Sequence, residues 1–367
     1  EAASRSEAGE DASRPEAASR SEAGADEFSR RASGALTQPP KNAKPLAEPT
    51  PTAAEQRRTL GAGLRSARLP NVRQGLWREE CPFKSRWFEQ PGGRLTHYFD
   101  EGHGPPVVMV HGNPSWSFMW RRLIGGLHGF RRLAPDHLGL GLSSRPGPGY
   151  GFRLTDRLAD FSAWLESLRL EEPVHLVVHD WGGPIGLSWA GLHPELTASL
   201  TIMNTGLRAP ADYRPPARLR LFAGPSPLRR LLAVKLGLFH RGLLRCGSVR
   251  PLSPAAADGF AAPCRLAAWR EAIGRFVGDI PLRPDHPSRP ALEAADRNFD
   301  RLADKPVLLA WGLRDFVFSL AFLDDFRRRR PAARTLALPR AGHWLLEDEP
   351  ARVLAAVSEF LASPDRP

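Results

Sequence analysis

Two periods of apolar residues alternate along this chain, and the switches between them mark its elements. Val107–Val110, Val174–Val178 and Leu200–Met203 are short runs dominated by apolar residues, the pattern of strands covered on both faces. Arg131–Pro135, Pro306–Trp311 and Thr335–Leu338 read as further strands. Phe83–Gln90 and Arg94–Phe99, separated by Gly92-Gly93, read as a β-hairpin. Between the strands the period lengthens. Leu154, Leu158, Phe161, Leu165 and Leu168 recur at helical spacing, with Thr155 near the expected N-cap. Ser117–His128, Ala291–Leu302, Leu320–Arg329 and Pro350–Leu361 are the other helix candidates of this framework.

A hairpin followed by alternating strands and helices predicts an α/β fold with a mostly parallel sheet of eight strands and helices on both faces. The rhythm fails twice. Residues 1–75 read as a disordered N-terminal tail: Glu1–Gly9 recurs unchanged at Glu16–Gly24, and the stretch is too poor in apolar residues to bury a core. Within it, Gln56–Arg68 is basic and weakly amphipathic, a linker by preference and a docking helix by alternative. The folded part is expected from about Trp77. The second break, 206–290, is rich in Pro and Arg, with helical fragments at Leu228–Leu238 and Leu266–Phe276. It reads as a helical cap inserted over the strand ends, where open α/β sheets bind ligands. The core is then 76–205 together with 291–367.

Composition narrows the function. The 367 residues are 42% apolar and 25% charged, as suits a soluble globular protein with one large domain or two smaller ones. No apolar run approaches the roughly 18 residues of a spanning helix. Three widely spaced cysteines, Cys81, Cys246 and Cys264, suggest neither a disulfide framework nor a metal site, so a reducing, cytoplasmic location is expected. The chain starts at Glu1 rather than Met, as a processed or fragmentary product would, and no secretory leader is visible. No cofactor motif is present, and none is expected. The net charge is +11, but only five of the 51 basic residues are Lys and no nucleic-acid motif accompanies them, so no nucleic-acid partner is expected. Residues 206–290 hold 15 basic and five acidic residues, nearly the whole excess. An ordinary cap, apolar inside and Arg-studded outside, is the preferred account. A membrane surface, or a partner enzyme docking at Arg229 and Arg230, is the alternative.

The chemistry concentrates at His179-Asp180-Trp181-Gly182-Gly183. A strand, a sharp turn with one reactive side chain and then a helix is the layout of a nucleophile elbow, here carrying Asp instead of Ser. A carboxylate is already charged at neutral pH and can displace a leaving group from an alkyl carbon, forming an ester. Asp315, after the Pro306–Trp311 strand, and His343, after the Thr335–Leu338 strand, complete the order nucleophile, acid, base. His343 would activate water and Asp315 would fix its tautomer. Past Val110, His111-Gly112-Asn113-Pro114 would face the elbow, so that the backbone N–H groups of Asn113 and Trp181 form an oxyanion hole and their side chains hold a departing anion. Singly, such residues are most often turn formers, caps or packing groups. All of them together, in order and at strand ends, argue for a catalytic set and against a non-catalytic member of the fold.

These motifs, with Ala341-Gly342-His343-Trp344-Leu345-Leu346-Glu347-Asp348, resemble the haloalkane dehalogenase family of α/β-hydrolases over about 80–365. The resemblance implies that Asp180 forms the alkyl-enzyme ester and that Asn113 and Trp181 bind halide. Asp315-Phe316-Val317-Phe318 resembles the branch whose acid follows the seventh strand; in another branch a carboxylate stands where this chain has Asn204. Arg275–Pro281 and the Asp315 region also resemble β-lactone decarboxylases of bacterial long-chain olefin synthesis. The expected partners are therefore water and a small apolar or long-chain substrate. Epoxide hydrolase is less favoured, because it needs cap tyrosines and, of Tyr98, Tyr150 and Tyr213, only Tyr213 lies in the cap. No Ser occupies the elbow, which counts against a serine esterase.

Overall fold

The computed structural model describes residues 75–363 apart from 148, 211, 212, 224 and 225. The predicted tail, with Gln56–Arg68, lies outside the described residues. Eight strands form one sheet: β1 (Ser85–Gln90), β2 (Arg94–Glu101), β3 (Pro106–Val110), β4 (Arg131–Pro135), β5 (Val174–His179), β6 (Thr197–Met203), β7 (Val307–Gly312) and β8 (Arg334–Leu338). Their order is β1-β2-β4-β3-β5-β6-β7-β8. β2 runs antiparallel to β1 and β4, and every pairing from β4 to β8 is parallel. The direction of winding reverses between β3 and β5. The loops that leave their C-terminal ends therefore part company with their neighbours and open a crevice, the usual ligand position in such sheets.

Burial explains the unbroken apolar strands. Every residue of β3 and β7 is buried, as helices cover both faces. The helices of the layers are α1 (Arg121–Gly126), α2 (Leu154–Ser167), α3 (Gly182–Leu192), α8 (Arg289–Phe299), α9 (Leu320–Arg329) and α10 (Pro350–Ala362). α3 starts at the elbow and is almost wholly buried, packed against α2 and α8. Between β6 and β7 lies the long insert, with α4 (Ala217–Ala223), α5 (Leu238–Cys246), α6 (Pro254–Ala261) and α7 (Glu271–Gly278) preceding α8.

Several sequence expectations need correcting. Ser117–His128 is not one helix: Ser117–Trp120 is a tight 3-10 turn that passes into α1. Arg153, not a residue at Thr155, caps α2, and the Asp156 carboxylate accepts the Arg153 N–H at 2.9 Å. Leu228–Leu238 does not run through: a π-helical stretch Arg230–Lys235 ends at Gly237, whose φ of +65° only glycine adopts freely, and Leu238 opens α5. Leu266–Phe276 likewise divides into a 3-10 turn, Ala267–Arg270, and α7.

Two devices fasten the insert to the sheet. An aromatic chain runs from Trp77 through Trp116 (5.1 Å) and Phe118 to Phe260 of α6, which stacks on Trp344 at 4.3 Å. The Trp116 indole donates to the Gly259 carbonyl at 2.9 Å. The second device is ionic. Asp348 accepts the Val249 and Arg250 N–H groups from the insert and the Gly342 N–H beside His343. Next to it, Glu347 forms a two-pronged pair with Arg121 at 2.6 and 2.8 Å, and Arg121 also reaches Glu80 at 2.8 Å. The Arg121 and Glu347 side chains are 1% and 6% exposed.

A buried pair of this kind is costly to break, because the survivor is left charged and unpaired. Arg121→Ala is expected to destabilise the fold by about 3–5 kcal/mol. The double change Arg121→Met, Glu347→Gln should cost much less. Chemical denaturation midpoints of the two variants measure this, and equal losses would contradict the assignment.

Candidate active site

Asp180 follows β5 directly, with φ +51°. A left-handed conformation costs a non-glycine residue on the order of 1–2 kcal/mol, so the surroundings must enforce it. The Asp180 N–H donates to the Asn204 carbonyl at 3.1 Å, and the Asp180 carbonyl accepts the Gly183 N–H and the Thr205 hydroxyl. The turn closes because Gly182 has no Cβ to strike the Val110 carbonyl, and Gly112 none to strike the Asp180 carboxylate. The side chain thus projects into the crevice between β3 and β5, 7% exposed.

The loop after β3 meets it there. The Asn113 N–H donates to Asp180 Oδ1 at 2.6 Å, and the Trp181 N–H donates to the same carboxylate. Burial pushes the Asp180 carboxyl above the ordinary 3.8, opposed by the charge that His343 carries when protonated and by these two N–H groups. The Asn113 loop is itself fixed by polar contacts. Asp136, after β4, accepts the Ser117 N–H at 2.6 Å and pairs with His97 at 2.8 Å. His111 contacts the Gly112 carbonyl through Nδ1 and accepts the His137 N–H at Nε2 (3.1 Å), which leaves it neutral with Nδ1 as the donor.

His343 arrives on the loop after β8. Its Nδ1 lies 2.8 Å from Asp315 Oδ2, and its Nε2 lies 4.0 Å from Asp180 Oδ2. Burial by itself would lower the imidazole pKa. The charge of Asp315, its hydrogen bond and the charge of Asp180 outweigh that and hold it above 6.5. The ring stacks on Phe318, and the chain behind it is held by His179 Nε2 at 2.8 Å from the His343 carbonyl. The five residues expected to act together, Asn113, Asp180, Trp181, Asp315 and His343, do converge. Four of them, with Asp315 behind His343, line a cavity of about 550 Å³ walled by Leu219, Phe222, Phe239, Leu243, Val277 and Phe322 among other apolar side chains.

Three positioning groups were not read from the sequence as members of the site. Asn204 was noticed only as a position lacking a carboxylate; its amide donates to Asp315 Oδ2 at 2.9 Å and clasps Gly312 from both sides. His179, one residue before the elbow, belongs to the motif, and its task, holding the His343 carbonyl, shows only in the fold. Arg157 is buried in α2, pairs with Asp279 at 3.2 Å and lies over the Phe276 ring at 3.4 Å and the Trp181 ring at 5.4 Å. Burial lowers its pKa to about 10, partly offset by Asp279, so it stays charged. The only signal for it was the Asp279 motif, 122 residues away.

Asn113 shows one departure from expectation. Its side-chain amide donates to the Ile273 carbonyl at 3.3 Å, a long bond that leaves a second N–H, and its Oδ1 is buried without a partner among the described residues. The tyrosines are committed elsewhere: Tyr213, on the cavity wall, donates to the Val317 carbonyl at 2.9 Å and Tyr150 donates to Asp160.

Comparisons with known proteins show the family and the fold. A family model described as the alpha/beta hydrolase fold matches residues 105–350. A cis-3-alkyl-4-alkyloxetan-2-one decarboxylase of Shewanella oneidensis is 37% identical over 283 residues, which cover 76% of this chain and 89% of that protein. Haloalkane dehalogenase 2 of Mycobacterium tuberculosis is 32% identical and covers 76% of this chain and 95% of its own. In structure, a haloalkane dehalogenase of Bradyrhizobium elkani superposes with a TM-score of 0.69 at 25% identity, over 77% of this chain and 99% of that one.

The raised Asp180 pKa has a thermodynamic consequence. A carboxyl that holds its proton more tightly when folded than unfolded costs no stability at pH below its unfolded value, and costs most once pH exceeds the folded value. Asp180→Asn is therefore expected to melt at a higher temperature than the parent chain at about pH 8, with the advantage shrinking as pH falls. Melting curves across that range check it; an advantage that grows toward acid pH has the wrong sign.

Proposed function

The chain belongs to the α/β-hydrolase fold family, in the group that holds haloalkane dehalogenases and β-lactone decarboxylases, and on that footing we propose that it is a dehalogenase-type hydrolase. Asp180 Oδ2 attacks the halogen-bearing carbon. The carbon–oxygen bond forms as the carbon–halogen bond breaks, and halide leaves toward the Asn113 amide and the Trp181 indole. Water then attacks the ester carbonyl, which is Cγ of Asp180. His343 Nε2 takes the water proton, Asp315 steadies the imidazolium, and the oxyanion forms on Oδ1 against the Asn113 and Trp181 N–H groups. Alcohol and halide are released, and Asp180 is regenerated.

The observation that carries this reading is the 4.0 Å between His343 Nε2 and Asp180 Oδ2. It is too long for a direct hydrogen bond. At that separation the nucleophile is not tied to the imidazole by a hydrogen bond, and Nε2 stays free to take a proton from a water that approaches the ester carbonyl.

A second reading is favoured by the relatives of highest identity named above. Attack of Asp180 on the ring carbon that bears oxygen in a β-lactone opens the ring to a carboxylate. Loss of CO₂ then sends the electrons of its bond into an alkene and expels Asp180. The same residues serve, no water is consumed, and the apolar cavity suits two alkyl arms. Epoxide hydrolysis is not favoured, as the one tyrosine on the cavity wall already donates to Val317. For the whole chain we assign 206–290 to a cap, 76–205 with 291–367 to the core, 1–75 to a tail, and a cytoplasmic location consistent with buried thiols at Cys81 and Cys264.

Two measurements test the reading. With a short bromoalkane, His343→Ala should release about one equivalent of bromide, retain the alkyl group on Asp180 as a mass increase, and turn over about 10²–10⁴-fold more slowly. CO₂ and alkene from a cis-3-alkyl-4-alkyloxetan-2-one, with no bromide released from the bromoalkane, would transfer the chain to the second reading. The pH profile is the other test. His343 acts as the neutral base, so ester hydrolysis should fall as pH drops through a value above 6.5. Asp315→Asn removes the charge that raises it, so the inflection should move down; an unmoved inflection would separate Asp315 from His343.

A further inference from the structure

The layer Ala217–Cys246 carries seven Lys or Arg residues and no Asp or Glu. Its helices have two apolar faces instead of one. Leu219 and Leu243 turn inward and line the cavity, 7% and 5% exposed. Leu221, Leu228, Leu231 and Leu236 turn outward, each between 41% and 49% exposed. Leu238 belongs to both faces: it lines the cavity and is 43% exposed, which sets the cavity mouth within this outer surface. Arg220, Lys235, Arg241 and Arg245 are exposed around these leucines and make no ion pair among the described residues. An ordinary cap accounts for the inward leucines and for the arginines in water. It does not account for four exposed leucines on the one stretch of chain that also carries Leu238, where the cavity meets the surface, since soluble surfaces seldom collect such side chains without a partner.

We propose that Ala217–Cys246 is a docking face for an anionic lipid surface, holding the cavity mouth at Leu238 against the bilayer so that an apolar substrate enters from the membrane. The apolar cavity lining carries this inference, and it does not depend on which of the two reactions follows. Three features point to lipid as the occupant. The charge is of one sign and complements anionic headgroups. The outward side chains are flexible aliphatics, whereas protein interfaces concentrate Tyr, Trp and Met and are poor in Lys. Leucines ringed by Arg and Lys match the amphipathic interfacial pattern, in which long basic side chains reach the headgroups while apolar ones enter the acyl boundary.

The experiment is co-sedimentation of the full chain with vesicles of phosphatidylcholine alone and of phosphatidylcholine with phosphatidylglycerol, at low and high salt. Two variants accompany it: Leu221→Ser with Leu231→Ser and Leu236→Ser, and Arg220→Glu with Lys235→Glu and Arg241→Glu. None of these six lines the cavity, so turnover of a water-soluble short substrate should be unchanged and reports folding. The expected result is salt-sensitive binding to the anionic vesicles, weakened on the order of tenfold or more in each variant. Three outcomes would overturn the proposal. One is no binding by the parent chain. Another is binding that persists in both variants, which would place it in the basic segment Gln56–Arg68. The third is binding that ignores the leucines and is matched by soluble polyglutamate, the mark of an acidic protein partner.

Discussion

A negative charge kept ready inside an apolar cavity is the constraint on which this structure turns. Asp180 is almost buried, its surroundings favour the neutral acid, and yet only the carboxylate attacks carbon. The fold reconciles these demands with backbone donors. Two N–H groups reach Asp180 only if the residue adopts φ +51° and the loop after β3 lies against the elbow. Both conditions depend on missing side chains at Gly182 and Gly112, and on a sheet whose winding reverses between β3 and β5. The local strain at Asp180 is thus tied to global topology: a different strand order would leave the carboxylate without its donors.

The second half of the site repeats the logic at one remove. His343 is useful as a base only if its second nitrogen is held by a carboxylate that cannot wander. Asp315 accepts from the Val317 N–H and from the Asn204 amide, so its orientation is set before the imidazole approaches. The loop bearing His343 is held from the other side by Asp348, which also grips the insert at Val249 and Arg250. One carboxylate therefore couples the position of the base to the position of the cavity wall. The aromatic chain from Trp116 to Trp344 does the same with apolar contacts, joining the loop of Asn113 to that of His343 through Phe260.

The legible parts of this molecule were those written in local pattern. Unbroken apolar strands, the elbow and the order of Asp180, Asp315 and His343 follow from short-range periodicity and from turn chemistry, and the structure places β4 and α9 at the predicted residues. What escaped was decided by contacts between distant segments. Asn204 looks like a turn former at the end of β6 until Asp315 is beside it. Arg157 sits at a helical spacing that also suits a surface, and only Asp279 and the Phe276 ring explain its burial. The insert was misdivided because Pro and Gly punctuate it so often that periodicity gave no boundary; Gly237 breaks the helix where the Leu spacing continued. Thr155 lies two residues inside the helix because Asp156 reaches back to the Arg153 N–H and sets Arg153 as the N-cap.

Both reactions considered for this site begin with the same displacement at carbon, and that shared step explains why one set of residues fits relatives with such different products. They part at the fate of the covalent intermediate. An alkyl ester whose neighbouring carbon carries hydrogen waits for water. One whose neighbouring carbon carries a carboxylate has an internal route, because loss of CO₂ returns the electrons that release Asp180. The protein does not need different catalytic groups for the two outcomes; it needs different control of water. Here His343 Nε2 lies 4.0 Å from the Asp180 carboxylate while its Nδ1 is held by a buried Asp315, so the imidazole is free to take a proton from a water where the site admits one. The apolar walls pull the other way, since Leu219, Phe222, Phe239, Leu243 and Val277 offer water no hydrogen-bond partner beside the polar pole formed by Asn113, Asp180 and His343.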